Sequence, residues 1–252
     1  MTTFIIIAVL IFIIYILYKF VNSNDDKDDS KSNEFDFDLS FKASTTDIGA
    51  YLVFDVETTG LPKNKYAGID EFENWPRIVQ ICWILLDTDF NCVNSETLYF
   101  NQVAPIPKEA SRIHKIDDKV IKEKGQDPKL VLQKFQKDLQ QAEYLIAHNI
   151  DFDLPIVESE FYRLGITKPF EGKTKICTMK LTTDFCKIPS KNGSGYKFPR
   201  LEELAGHLFF PGVKNLKNLS AHDALIDTAL TAKCFIKLLF LRVITLMPKT
   251  TT

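Results

Sequence analysis

Hydrophobic and polar positions divide the chain into three regimes. Phe4 to Tyr18 holds no charged or strongly polar side chain. Counted from Thr2 to Val21, with Lys19 snorkelling, a helix at 1.5 Å per residue reaches about 30 Å, a bilayer core. Asn22 to Thr46 has no periodic apolar pattern and is rich in Asp, Ser, Lys and Asn, which reads as a solvated tether. Near its end Phe35, Phe37, Leu39 and Phe41 alternate with polar residues, the pattern of a short edge strand.

The third regime alternates strand-like and helix-like runs. Tyr51 to Val56 has the β-branched, aromatic and aliphatic content of a buried strand. Arg77 to Leu86 and Glu96 to Val103 predict two more strands, joined by a hairpin loop at 87–94. Glu109 to Lys115 and Asp118 to Lys124 predict short helices. Asp127-Pro128 marks a helix start, with Asp as N-cap and Pro at the first position. Leu132, Phe135, Leu139 and Ala142 continue one apolar face from it. Tyr144 to Ala147 predicts a brief buried strand. Leu154 to Leu164 is helical and stopped by Gly165, and helices follow at 200–209 and about 224–241. The order β-β-β-α-β-α-α predicts a mixed α/β fold with an antiparallel start.

Three segments follow: a transmembrane anchor at 1–21, an acidic flexible tether at 22–46, and a folded domain at 47–245. A cleaved signal peptide competes with the anchor, but no Lys or Arg precedes the apolar run. Lys19, Lys27 and Lys31 come after it, so the positive-inside tendency places the domain in the cytoplasm.

Charge sharpens this division. The net charge of −2 hides seven acids and three lysines in residues 1–40, leaving 26 acids and 28 bases in residues 41–252. The domain is thus mildly basic, without a broad polycationic surface. Its five cysteines lack any C-x-x-C pairing, which fits buried free thiols in a reducing compartment.

Three places carry acids that packing alone does not explain. Asp55 and Glu57 sit two apart on the first strand, so both project from one face. Two such carboxylates repel unless a cation holds them, and a hard divalent ion with oxygen ligands does so; a solvated strand end is the alternative. Asp153 lies beyond His148-Asn149, where an α/β sheet presents ligands, and falls at the expected N-cap of the next helix, so capping competes as its role. Asp227 lies on the last helix among Ala224, Leu225 and Leu230, on a face otherwise given to core. His222 comes five residues before Asp227, about 140° away on an ideal helix, and so belongs to the loop ahead of that helix.

Together these segments resemble the DEDDh 3′–5′ exonucleases, the DnaQ-like or RNase T superfamily. Asp55-Val56-Glu57-Thr58-Thr59-Gly60 is similar to the first motif of that family. Ala147-His148-Asn149-Ile150-Asp151-Phe152-Asp153 is similar to the second, and His222-Asp223-Ala224-Leu225-Ile226-Asp227 to the third, H-x-A-x-x-D. Pro76-Arg77-Ile78-Val79-Gln80 and Ile113-His114-Lys115-Ile116 add to the likeness, which runs from about 50 to 240. It leaves out the membrane segment and tether.

The resemblance implies a ribonuclease H-like α/β sheet flanked by helices and a two-metal phosphodiester hydrolysis. Asp55, Glu57, Asp153 and Asp227 would hold two Mg²⁺ ions, with Mn²⁺ able to substitute. His222 would be the general base. By the same resemblance Thr58 would contact the terminal nucleotide, Leu61 would pack on its base and Asn149 would support the site. The substrate would be DNA or RNA with a single-stranded 3′ end. Residues 168–200 carry eight bases and two acids, with Tyr196 and Phe198 available to stack on bases. An ordinary solvated lysine-rich loop is the plainer account of them. A catalytically silent nucleic-acid-binding module on the same fold is the alternative function.

Overall fold

The computed structural model describes residues 38–101, 104–191, 193–211 and 223–246. The expected anchor at 1–21, most of the tether and His222 lie outside the described residues. Among the described residues no helix is long and apolar enough to cross a membrane.

Six strands and eight helices occur among the described residues: β1 (Tyr51–Thr58), β2 (Ile78–Leu86), β3 (Cys92–Phe100), α1 (Lys108–His114), α2 (Asp118–Lys124), β4 (Gly125–Gln126), α3 (Pro128–Gln141), β5 (Tyr144–Ala147), α4 (Ile150–Arg163), β6 (Thr174–Cys177), α5 (Thr178–Leu181), α6 (Thr183–Cys186), α7 (Leu201–Phe209) and α8 (Ala224–Phe240). The strands form one sheet in the order β4-β3-β2-β1-β5-β6. β1, β2 and β3 pair antiparallel, while β5 pairs parallel with β1 and β6 parallel with β5. The expected mixed sheet with an antiparallel start is therefore present, and β1 lies inside it, paired on both sides.

β1 is covered on both faces, which explains its apolar run. Leu52, Phe54 and Val56 join one core with Val131, Leu132 and Phe135 of α3 and Ile156, Val157 and Phe161 of α4. Phe54 and Trp83 each meet Phe135 edge-on, with ring centroids 5.8 and 5.3 Å apart. The odd positions of β1 face the other way, onto α8, where Tyr51 meets Phe235 at 5.6 Å. α8 packs against both β1 and β2.

Four expected boundaries move. The β2–β3 loop is shorter than 87–94, because Asp87 Oδ1 accepts from the amides of Asp89 and Asn91, each at 2.9 Å, and closes a tight turn. β3 therefore starts at Cys92 and ends at Phe100, rather than running from 96 to 103. α4 starts at Ile150, four residues before the expected Leu154, with Asn149 as its N-cap. The stretch 168–200, expected as a lysine-rich loop, contains β6 and two short helices. The C-terminal part of the expected tether is also attached to the sheet. The Cys92 amide donates to Lys42 and its carbonyl accepts from the Ser44 amide, both at 2.7 Å.

Candidate functional site

The alternation of β1 decides which acids can meet. With Leu52, Phe54 and Val56 committed to the α3–α4 core, Asp55 and Glu57 must face α8. α8 places Asp227 in its first turn, one turn after the N-cap Asp223, whose side chain accepts from the Leu225 amide at 3.1 Å. Carboxylate oxygens of Asp55, Glu57 and Asp227 all lie within 4.8 Å of one another.

Asp153 reaches the same place from the opposite direction. It sits inside the first turns of α4, so it is not the N-cap that its sequence position suggests. It is buried, and its Oδ1 accepts from the Val56 amide at 3.3 Å. A strand–helix contact thus fixes the fourth acid against the backbone that separates the first two.

The electrostatics are those of carboxylates held together against repulsion. Burial raises the Asp55 carboxyl well above its ordinary range, and the charges of Asp153, Asp227, Glu57 and Asp223 raise it further. Glu57 is pushed up to about 8, first by burial and then by Asp227 and Asp153. Asp153 rises to about 7, again mainly by burial, although the Val56 amide opposes the shift. Oxygen-only donors at this spacing suit a hard divalent cation, whose charge reverses each of these penalties. Asp55, Glu57 and Asp227 fit such an ion directly, with Asp153 beside them.

Gln80 is a neighbour that the acid pattern did not single out. It is paired across β1–β2 with Glu57, so the two side chains share a face. It is 3% exposed, and its Oε1 has no hydrogen-bond partner among the described residues. A glutamine inside an otherwise apolar strand, opposite Glu57, is the signal that finds it.

The remaining expected residues are placed less tightly. The Thr58 hydroxyl donates to the Gly60 carbonyl at 2.6 Å, within the turn that ends β1. Leu61 is 81% exposed just beyond that turn. Asn149 is exposed and makes no side-chain capping bond. His222 lies outside the described residues. His148 is held on two sides: Nε2 lies 3.0 Å from the Pro199 carbonyl, and Nδ1 lies 3.0 Å from Thr178 Oγ1. A carbonyl only accepts, so Nε2 carries the proton and Nδ1 takes the Thr178 hydroxyl. Burial lowers His148 to about 4, which keeps it neutral. His114 is buried too, and its Nδ1 accepts from the Ile116 amide at 3.1 Å, a local structural bond.

A mixed sheet in this order, flanked by helices, with acids converging from β1 and the last helix, is a ribonuclease H-like fold. The exonuclease family RNase T matches residues 52–235, and the chain belongs to that family. It is 29% identical over 193 residues to the PolC-type DNA polymerase III of Caldanaerobacter subterraneus, covering 76% of this chain and 12% of that protein. It is 25% identical over 189 residues to the 3′-5′ exonuclease DinG of Bacillus subtilis, covering 75% of this chain and 17% of DinG. The chain thus spans less than a fifth of the length of either. Among solved structures, E. coli Exonuclease I bound to a dA16 oligonucleotide superposes with a TM-score of 0.57 at 17% identity, over 77% of this chain and 41% of that one. At that identity the likeness is one of fold.

Proposed function

We propose that this chain is a metal-dependent 3′–5′ exonuclease that removes nucleotides from a single-stranded 3′ end of DNA or RNA. The observation that carries the reading is the convergence of Asp55, Glu57 and Asp227 from β1 and α8. Bound at these acids, two Mg²⁺ ions, or Mn²⁺ in their place, would offset charge on the phosphate and on the attacking and leaving oxygens. Asp55, Glu57 and Asp227 bind at the centre of that site, and Asp153 closes it from α4. His222, one residue ahead of the Asp223 cap, accepts the proton of the attacking water and must be neutral to do so. Thr58 and Leu61, on the turn after β1, receive the terminal nucleotide, while Asn149 at the start of α4 supports the acids.

DinG carries 3′-5′ exonuclease in its name and Exonuclease I is seen with single-stranded oligonucleotides, which supports the direction and the substrate. Residues 1–21 anchor the domain to a membrane through the acidic tether, with the domain on the cytoplasmic side. Carbonate extraction tests the anchor: the full-length chain stays with the membrane, and release refutes a retained span.

For the activity, the full-length protein is incubated with 3′- and 5′-labelled DNA and RNA strands, with Mg²⁺, with EDTA, and as Asp227→Ala. Metal-dependent trimming from the 3′ end that the variant loses supports the reading. Intact substrate in every lane refutes it and favours the silent binding module.

A further inference from the structure

Residues 187–191 and 193–198 form the two arms of a short hairpin that the acid site does not require. The Lys197 amide donates to the Ile188 carbonyl at 2.9 Å and the Ser190 amide to the Gly195 carbonyl at 3.1 Å, while Pro189 and Tyr196 form a bridge. Gly195 turns the corner at φ +66°, a left-handed conformation that side-chain-bearing residues rarely adopt. On the returning arm Tyr196 and Phe198 lie two residues apart, on either side of Lys197. They are 46% and 55% exposed, large apolar rings left in water. Lys197 between them is ion-paired with Glu203 of α7, which pins the arm.

The base of this hairpin is fastened to the turn between β5 and α4. The Pro199 carbonyl accepts from His148, which directly precedes the N-cap of α4. Lys180 is ion-paired with Asp151, in the first turn of the same helix that carries Asp153. Lys187 and Lys191 are exposed along the hairpin, and residues 187–200 hold no acid.

We propose that the 187–198 hairpin is a stacking platform for single-stranded nucleic acid, on which the Tyr196 and Phe198 rings hold bases upstream of the 3′ terminus. It deepens the exonuclease reading and takes its substrate from it. Ring–base stacking is sequence-tolerant, and cations on the same arm meet the backbone phosphates. Bases in a duplex are already stacked and paired, so the platform favours single strands over double.

Binding without hydrolysis separates the platform from the chemistry. The full-length protein is titrated in EDTA against a fluorescently labelled 15-nucleotide single-stranded DNA, an RNA of the same sequence and a blunt duplex. The unaltered protein binds the single strands more tightly than the duplex. Tyr196→Ala with Phe198→Ala weakens single-strand binding about tenfold or more, while Tyr196→Phe with Phe198→Trp retains it. A double alanine variant that binds as well as the unaltered protein overturns the platform, and so does an unaltered protein that binds no oligonucleotide, which leaves the exposed rings to a protein partner. If the alanines weaken binding but Mg²⁺ never yields trimming, the platform stands and the exonuclease reading falls. If trimming occurs and the alanines leave binding unchanged, the exonuclease reading stands and the platform falls.

Discussion

The backbone amide of Val56 donates to the Asp153 carboxylate at 3.3 Å, so the residue between Asp55 and Glu57 also holds the fourth acid. Position and charge of Asp153 can therefore be separated by substitution. Asp153→Asn keeps an acceptor for Val56 while removing one negative charge from a repelling cluster. In EDTA its thermal midpoint should equal or exceed that of the unaltered protein, while nuclease activity falls by about a hundredfold or more, the loss of several kcal/mol of metal-dependent stabilisation. A variant that loses stability and activity together would assign Asp153 a structural part only.

Asp153 also shows where sequence stops being legible. The sequence pattern suggests a helix starting at Leu154, which makes Asp153 its cap. Instead the chain turns one residue after His148, with the Phe152 amide bonded to the Asn149 carbonyl at 2.7 Å, and Pro155 is carried inside the helix. Propensity favours the later start, and tertiary contact with Val56 favours the earlier one. The pairing of Asp55 with Glu57 was legible because a strand fixes side-chain direction at every second residue. Their meeting with Asp227 was not, since nothing local to β1 states which helix covers its odd face. The motif likeness supplied that link, and α8 supplies the physical one. β3 starts at Cys92, earlier than hydropathy suggests, because the Asp87 turn is built from side-chain bonds that hydropathy does not register.

Metal and proton should compete at the acid cluster, and the direction follows from the raised values. The ordinary carboxyl values of 3.8 and 4.5 rise to about 7 for Asp153 and about 8 for Glu57 in the folded protein. Between those limits these two groups hold more protons in the folded chain than in the unfolded one, so their contribution to metal-free stability is full below about pH 4 and is lost as pH rises towards 8. A divalent ion that binds the ionised acids removes that loss. The increase in thermal midpoint from Mg²⁺ over EDTA should accordingly be larger at pH 8 than at pH 5. Equal increases at both values would mean that the ion does not bind through these carboxylates.

Asp138 makes a comparable point away from the site. It is buried, and its Oδ2 accepts from Trp83 Nε1 and Asn94 Nδ2, each at 2.7 Å, joining α3 to β2 and β3. Asp138→Ala leaves the buried Trp83 donor and the half-buried Asn94 amide without their acceptor and should cost about 2–3 kcal/mol by urea unfolding, with kcat unchanged in the folded fraction. A cost below about 1 kcal/mol would show that water reaches these donors.

Glu160 is the buried charge that fastens β2 beside the acid cluster. It is 1% exposed, accepts from Arg77 Nε at 2.6 Å and Nη2 at 3.2 Å, and lies 3.8 Å from Arg163 Nε. It also accepts from the Ile78 amide at 3.4 Å, the first residue of β2. Only Glu160 is buried, the Arg77 guanidinium being 34% exposed, so removing the carboxylate costs the hydrogen bonds it accepts, about 1–3 kcal/mol, and leaves no fully desolvated charge behind. Glu160→Ala should therefore destabilise the domain by that amount, whereas Glu160→Gln keeps an acceptor for Ile78 and should cost less. The start of β2 leads directly to Gln80, opposite Glu57, so loosening it should also reach the site. Mg²⁺ affinity, read as the midpoint of activity against metal concentration, should weaken in Glu160→Ala even at temperatures where the variant is folded. An unchanged midpoint there would confine Glu160 to stability and separate the anchoring of β2 from the geometry of the acids.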